Sequence, residues 1–447
     1  MAELIYDESG RLLFTEEMKK EYTILMPQML PIHFNILREC LCMEGYKIEM
    51  LNTTHRGIVD TGLKYVHNDT CYPALLVIGQ LIDAVQSGKY DPHKIALIIT
   101  QTGGGCRASN YIHLLRKALE KAGLEFVPVV SLNLSGLDKN PGFNLSVQLL
   151  IRFIFALVYG DIIMLLANQC RPYEVEKGAT DEMIIKWENE LLSQFKRGKG
   201  LRAGSFKKNL ERIACDFDAI ELTGERKVRV GIVGEIYVKY APLGNNNLEE
   251  FLLSEGCEPV VPGLLDFVIF KAQNRVTDIN LYGGSKIKRT GIALFIKYIE
   301  NRQKDLINTV KRHRRFHAPG TFQDLKSVAG DYLGEGNKMG EGWLLTGEML
   351  ELIHSGITDI VCTQPFGCLP NHIVGKGMIR PIKQNFPESN IVAIDYDPGA
   401  TKINQENRIK LMLSNAKAKH GVFNPKHMDK EKDKFIFDKK EQEKVLV

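Results

Sequence analysis

The sequence is dominated by a regular alternation of short apolar strand patterns with amphipathic helix patterns, which limits the folds that the chain can adopt. Between residues 22 and 140, helix patterns alternate with strand patterns at 23–27, 47–51, 94–100 and 125–131. Helices that separate such strands predict parallel pairing with crossover connections. Residues 22–140 are therefore expected to form a Rossmann-like lobe.

A second alternating unit is predicted at residues 225–420, with strand patterns at 227–233, 258–261, 359–362 and 390–395. Residues 141–224, between the two units, have helical apolar spacing and no strand pattern, which predicts a helical insertion. Residues 1–21 are expected to be a polar lead-in, and residues 421–447, rich in Lys, Asp and Glu, a mobile tail. The expected fold class is α/β, with two Rossmann-like parallel-sheet lobes and a helical insertion.

Charge and leader patterns exclude several classes of protein. The 58 basic and 54 acidic residues give a net charge of +4, which argues against nucleic-acid binding. The first 20 residues carry five acidic side chains, unlike a secretory leader. Arg152 and Asp161 interrupt the longest apolar stretch, at 149–166, so no membrane span is expected. We expect a cytoplasmic protein with no nucleic-acid or membrane partner.

Three of the nine cysteines share one local pattern. Cys71, Cys106 and Cys368 each lie just before a predicted helix, in loops framed by Pro73, by Gly103–Gly105 and by Pro370. A helix N-terminus lowers a cysteine pKa and favours the thiolate, the form that binds metals and iron–sulfur clusters. Because strand-to-helix loops gather at the carboxyl edges of parallel sheets, a cluster site is expected in the cleft between the lobes.

The other cysteines are expected to be small packing residues. This applies to Cys170, Cys215, Cys257 and Cys362, which lie in or beside apolar helix and strand patterns, where free cysteine is usually buried. For Cys40 and Cys42 both a packing role and a ligand role stay open. They lie on different faces of one predicted helix, which is poor geometry for binding one metal together.

Several polar residues near predicted strand or helix ends are further candidates. Glu235 follows a strand. It could act as a general acid or base or orient a bound ligand, and it is equally suited to cap the segment that follows. Asn371 is expected to be a helix cap. The remaining candidates, each with a plain structural alternative, are Arg107, His372, Asp395, Asp397 and the basic run at 311–315.

Four longer motifs carry a family resemblance. They occupy residues 68–73, 104–111, 233–237 together with 245–247, and 364–372. With these motifs, the chain resembles the 2-hydroxyacyl-CoA dehydratase component superfamily over residues 24–417, and most of all its branch of acyl-CoA dehydratase activase-related proteins. Benzoyl-CoA reductase subunits and double-cubane cluster proteins are related to the same superfamily.

The resemblance implies a 4Fe–4S cluster held by Cys71, Cys106 and Cys368. It also implies that a separate ATP-hydrolysing activator supplies low-potential electrons for radical dehydration or reduction of an acyl-CoA. ATP is expected only through that partner, because the glycine-rich residues 334–342 lack the Gly-Lys-Ser/Thr ending of a P-loop. A second dehydratase-type subunit or a homodimer is the further partner considered.

Two alternatives stay open. One is a double-cubane-type, ATP-coupled reductase of small molecules, which would recruit extra thiols such as Cys40 or Cys42. The other is a non-catalytic cluster carrier or scaffold that binds a partner protein. The sequence leaves the substrate, the fourth cluster ligand and the oligomeric state open.

Overall fold

The computed structural model describes residues 2–101, 104–132 and 138–421. Residues 422–447 of the expected tail, and Gly103, therefore lie outside the described residues. The elements of the first lobe are α1 (Glu16–Glu21), β1 (Thr23–Pro27), α2 (Pro31–Met43), β2 (Lys47–Leu51), α3 (Gly57–Tyr65), α4 (Tyr72–Gln86), β3 (Ile95–Thr100), α5 (Tyr111–Lys121) and β4 (Val129–Leu132).

The four strands of the first lobe form one parallel sheet in the order β2-β1-β3-β4. Thr23 of β1 pairs with Lys47 on one side and with Ile95 on the other, and Leu97 of β3 pairs with Val129. The apolar core positions of β1 and β3 are buried because helices cover both faces of such a sheet. Helix α3 precedes α4 without an intervening strand, an addition that the sequence did not predict.

Three long helices follow the first sheet, as the sequence predicted for residues 141–224. They are α6 (Val147–Cys170), α7 (Ala179–Lys196) and α8 (Ala203–Asp218). Helix α6 is long and apolar enough to cross a membrane by length and composition, but it is mostly buried inside the structure. The burial of α6 is typical of the core helix of a soluble protein. Arg152, near the start of α6, pairs with Glu44 at 2.7 Å.

The second lobe contains β5 (Val228–Gly234), α9 (Ile236–Tyr240), α10 (Pro242–Asn245), α11 (Leu248–Ser254), β6 (Cys257–Val260), α12 (Leu264–Tyr282), α13 (Lys286–Arg312), α14 (Phe322–Gly330), α15 (Trp343–His354), β7 (Asp359–Pro365), α16 (Ile379–Asn385), β8 (Asn390–Tyr396) and α17 (Lys402–His420). Its sheet is also parallel, in the order β6-β5-β7-β8. The structure thus confirms the predicted α/β class with two parallel-sheet lobes.

One hydrophobic core runs through both lobes and the helices between them. It includes Leu25 and Ile98 from the first sheet, Phe155 from α6, and Ile232 from the second sheet. A smaller cluster lies where α15 packs on the second sheet, around Met349 and Ile360. The shared core holds the loops of the two lobes against each other, which positions the site described next.

Candidate functional site

Cys71 lies at the start of α4, as predicted. Its backbone precedes Tyr72, the first residue of the helix, and its side chain is buried. The Sγ atom lies 2.9 Å from the Oη atom of Tyr111, the first residue of α5. The loop that carries Cys71 joins two helices, α3 and α4, so it is not a strand-to-helix loop of the kind that follows β3 and β7.

Cys106 lies in the loop between β3 and α5. It precedes a short 3-10 turn, Arg107–Asn110, and is half-buried. Gly104 and Gly105 are exposed. A Cβ atom at Gly105 would lie 2.4 Å from Met339 Sδ, so a glycine here lets the first lobe approach the second closely.

Cys368 comes from the second lobe and faces the loop of Cys71. It follows β7 and is buried. The Tyr72 N–H donates to the carbonyl of Phe366 at 2.9 Å. Gly367 has a φ of +71°, and a Cβ there would lie 3.0 Å from Cys71 Cα. The two loops are therefore in backbone contact across the cleft.

The glycine-rich segment 334–342 forms a further wall of this cleft. A Cβ atom at Gly340 would lie 3.0 Å from Pro370 Cγ and 3.8 Å from Cys106 Sγ. The Lys271 ammonium donates to the Gly340 carbonyl at 2.5 Å. This segment thus passes between the loops of Cys106 and Cys368, and its glycines permit that close approach.

Burial dominates the protonation of the three thiols, contrary to the sequence prediction. It raises the pKa of Cys71 to about 11 and raises the pKa values of Cys106 and Cys368. The predicted helix-start effect is present, because a backbone N–H two or three residues later lowers each pKa: those of Ala74, Ala108 and Asn371. Desolvation in the closed cleft outweighs these hydrogen bonds.

The three thiols share one electrostatic environment. Besides burial, the charges of Glu235 and Cys106 raise the pKa of Cys71, and those of Glu341, Glu235 and Cys106 raise the pKa of Cys368. The cleft therefore gathers the three predicted cysteines in one charged environment.

Glu235 is buried at the start of α9, where its carboxylate accepts a hydrogen bond from the Val238 N–H at 2.9 Å. The capping alternative is thus realised. Burial and the charge of Glu341 raise the pKa of Glu235 well above its usual range. A Glu341 oxygen accepts from the Ile236 N–H at 3.3 Å, so two carboxyl groups lie at one helix start.

Three residues of the cleft were missed by sequence reasoning. Tyr111 is half-buried and contacts Cys71, Lys271 is half-buried beside Gly340, and Glu341 is only 7% exposed. Burial lowers the pKa of Lys271, against the opposing charge of Glu341. Glu341 and Tyr111 lie inside two glycine- or cysteine-bearing motifs, which was the available indication. Lys271 lies in the middle of α12 with no such indication.

The remaining candidates have structural roles or exposed positions. Asn371 does not cap a helix by a side-chain bond; it donates from Nδ2 to the Thr363 carbonyl at 2.7 Å and so ties its loop to β7. Asp395 pairs with Lys376 and Arg408, and Asp397 accepts from the Gly399 N–H. Arg107 and His372 are exposed.

The packing role holds for three of the four cysteines for which it was predicted: Cys170, Cys257 and Cys362 are buried. Of the two left open by the sequence, Cys40 is buried and Cys42 is half-buried. Cys215 is a correction: it is exposed, because its position on α8 faces solvent rather than the core. It lies beside Glu211 and His313.

Comparison with models of protein families finds none that matches this chain, and comparison with curated proteins finds no match either.

Proposed function

We propose that this chain is a cytoplasmic iron–sulfur protein that holds a 4Fe–4S cluster on Cys71, Cys106 and Cys368. In this proposal it resembles 2-hydroxyacyl-CoA dehydratase components and receives low-potential electrons from a separate ATP-hydrolysing activator. The reaction proposed is radical dehydration or reduction of an acyl-CoA. The observation that carries the proposal is the meeting of these three cysteines, from two lobes, in one cleft.

The donor set of the cleft fits such a cluster. Thiolates are the usual ligands of iron–sulfur clusters. The backbone N–H groups of Ala74, Ala108 and Asn371 point to the three sulfur atoms. Hydrogen bonds of this kind tune the reduction potential of a cluster. When bound, the cluster would supply one-electron transfer.

The other residues of the cleft have roles that follow from their contacts. Tyr111 Oη, 2.9 Å from Cys71 Sγ, orients that sulfur atom. The buried Glu235 carboxyl group has a raised pKa, so it can give or take a proton near neutral pH. Lys271 fixes the Gly340 carbonyl and adds positive charge beside the Cys106 sulfur.

Anaerobic purification and reconstitution, followed by iron and sulfide analysis, tests the proposal. We expect about four iron and four sulfide ions per chain. Cys71→Ala, Cys106→Ala and Cys368→Ala should each lose most of this iron, because each removes one of three protein ligands. Electron paramagnetic resonance of the reduced protein should show a cluster signal that disappears in the same variants.

Matched variants control for effects on folding. Cys362→Ala removes a buried thiol from β7, six residues before Cys368, and should keep its iron. Glu235→Gln, which can still accept the Val238 N–H, should also keep its iron. An iron-free wild-type protein after reconstitution would overturn the proposal, as would equal iron content in Cys368→Ala and Cys362→Ala.

The same measurement separates the two alternatives. A double-cubane reductase would bind about eight iron ions per chain. The charged neighbours of Cys40 are Arg152, Glu39 and Glu44, rather than the residues of the cleft. A cluster carrier would bind about four but show no substrate-dependent turnover with any activator and acyl-CoA supplied.

A further inference from the structure

A second group of metal-binding side chains lies outside the cleft, at the junction of α8 and α13. Glu211 and Cys215 are one turn apart on α8, and His313 follows the last residue of α13. The ligand atoms of these three residues all lie within 4.8 Å of one another. Two residues at i and i+4 on one helix face are a common arrangement for binding one metal ion.

The two oxygen atoms of Glu211 have different partners. Oε2 accepts a hydrogen bond from the Arg312 guanidinium at 2.5 Å, and Oε1 lies 3.2 Å from His313 Nε2. Arg312 therefore fixes the rotation of the carboxylate and leaves Oε1 directed at the imidazole. A carboxylate held in this way can bind a metal through one oxygen without a large loss of side-chain entropy.

The imidazole of His313 is also held from its other side. Its Nδ1 atom lies 3.3 Å from Asp218 Oδ2. Arg315 supports Asp218, because its guanidinium donates to the Asp218 backbone carbonyl at 2.5 Å and lies 3.7 Å from Oδ1. A carboxylate on the second nitrogen is the usual partner of a metal-binding histidine, since it fixes the tautomer that leaves Nε2 free to bind.

We propose that Glu211 Oε1, Cys215 Sγ and His313 Nε2 bind a zinc ion, with Asp218 as a positioning residue. Zinc accepts this mixture of oxygen, sulfur and nitrogen ligands in tetrahedral geometry. Cys215 is exposed, so solvent reaches the site and water completes the coordination. The site shares no residue with the cleft and does not depend on the proposed cluster.

The consequence of this site is a link between two parts of the chain. Helix α8 belongs to the helical insertion and α13 to the second lobe, and they are in contact along the shared core. A metal that binds the folded chain but not the separated helices stabilises the folded state by mass action. Bound zinc should therefore hold the helical insertion against the second lobe and stabilise the folded chain.

Equilibrium dialysis of the full-length protein against zinc, without oxygen, tests this inference. Where the cluster can be loaded, loading it first keeps zinc away from the cysteines of the cleft. We expect about one zinc ion per chain, and X-ray absorption at the zinc edge should show one sulfur ligand among nitrogen and oxygen ligands. Bound zinc should also raise the thermal unfolding temperature.

Variants of the site give the sharpest comparison. Cys215→Ala and His313→Gln should lose zinc but retain iron, since neither residue lies in the cleft. Asp218→Asn should bind zinc about 10- to 100-fold more weakly, the usual effect of removing the partner of a metal-binding histidine. Cys42→Ala and Asp216→Asn, a half-buried thiol and an acid beside Cys215, should bind zinc as the wild type does.

Three results would overturn the inference. One is zinc uptake in Cys215→Ala equal to that of the wild type while both are folded by circular dichroism. Another is a zinc environment with three sulfur ligands, which would place the metal in the cleft. No zinc uptake by the folded wild-type protein at micromolar zinc would equally reject it.

Discussion

At the scale of single residues, the cleft depends on charged groups placed where water does not reach. Lys239 of α9 and Glu348 of α15 form an ion pair at 2.7 Å, with side chains only 3% and 1% exposed. Helix α9 begins just after Glu235, and α15 begins shortly after Glu341. The pair therefore fixes the two helices whose starts carry the carboxyl groups of the cleft.

Lys239→Met should lower the free energy of unfolding by about 3–5 kcal/mol. Burial already raises the pKa of Glu348, and the Lys239 ammonium opposes that shift, so the variant leaves a buried carboxylate without its counter-ion. Urea unfolding at neutral pH measures the loss. Lys89→Met is the matched control, because it breaks a 2.6 Å pair with Glu49 that is exposed and should cost less than about 1 kcal/mol. Equal losses in the two variants would contradict the prediction.

At the scale of elements, one acidic residue joins three helices. Asp161 lies in the middle of the apolar helix α6, where its Oδ1 is 2.7 Å from His33 Nε2 of α2. Its two oxygens also accept from the N–H groups of Leu264 and Leu265, at 2.8 and 3.0 Å. Asp161 thus accepts hydrogen bonds from the first-turn N–H groups of α12, which have no acceptor within the helix.

Asp161→Ala should destabilise the protein strongly, because it leaves two backbone N–H groups and a ring nitrogen buried without an acceptor. Each such group costs about 1–3 kcal/mol. Chemical denaturation measures the loss in the free energy of unfolding. Asp181→Ala is the control variant, since Asp181 is exposed and pairs with Arg171 at 2.6 Å. Asp181→Ala is expected to cost at most about 1 kcal/mol. A comparable small cost for Asp161→Ala would show that the three helices do not depend on this side chain.

At the scale of the whole molecule, the cleft is built from both lobes over one continuous core. Cys71 and Cys106 come from the first lobe and Cys368 from the second. The hydrogen bond from the Tyr72 N–H to the Phe366 carbonyl joins the loops of Cys71 and Cys368. A cofactor bound by all three cysteines would bind the folded arrangement and not the unfolded chain. Such a cofactor stabilises the folded state.

Anaerobic removal of iron by a chelator should therefore lower the thermal unfolding temperature of the cluster-loaded protein, by at least about 2 °C. Calorimetry before and after treatment measures the shift. Cys368→Ala should unfold near the temperature of the chelated protein and show no further change with chelator. An unfolding temperature that is the same with and without iron would mean that the cluster does not link the lobes.

Local patterns in the sequence determined the fold class and most of its elements. Strand β1 at Thr23–Pro27 has the predicted bounds, and helix α4 begins directly after Cys71, as predicted, because apolar runs and a proline in the first helical turn are local features. The position of Cys71 and Cys106 before helical turns follows from the same features. The alternation of strands and helices was enough to predict two parallel sheets.

Tertiary structure alone decided the chemistry of the cleft. Sequence reasoning predicted lowered thiol pKa values from helix starts, but burial raises them, because desolvation depends on what the other lobe covers. Lys271 and Glu341 enter the cleft from segments distant in the chain. Cys215 meets His313 across 98 residues for the same reason. Local residue order sets strands and helices, whereas burial and long-range contacts arise only once those elements pack.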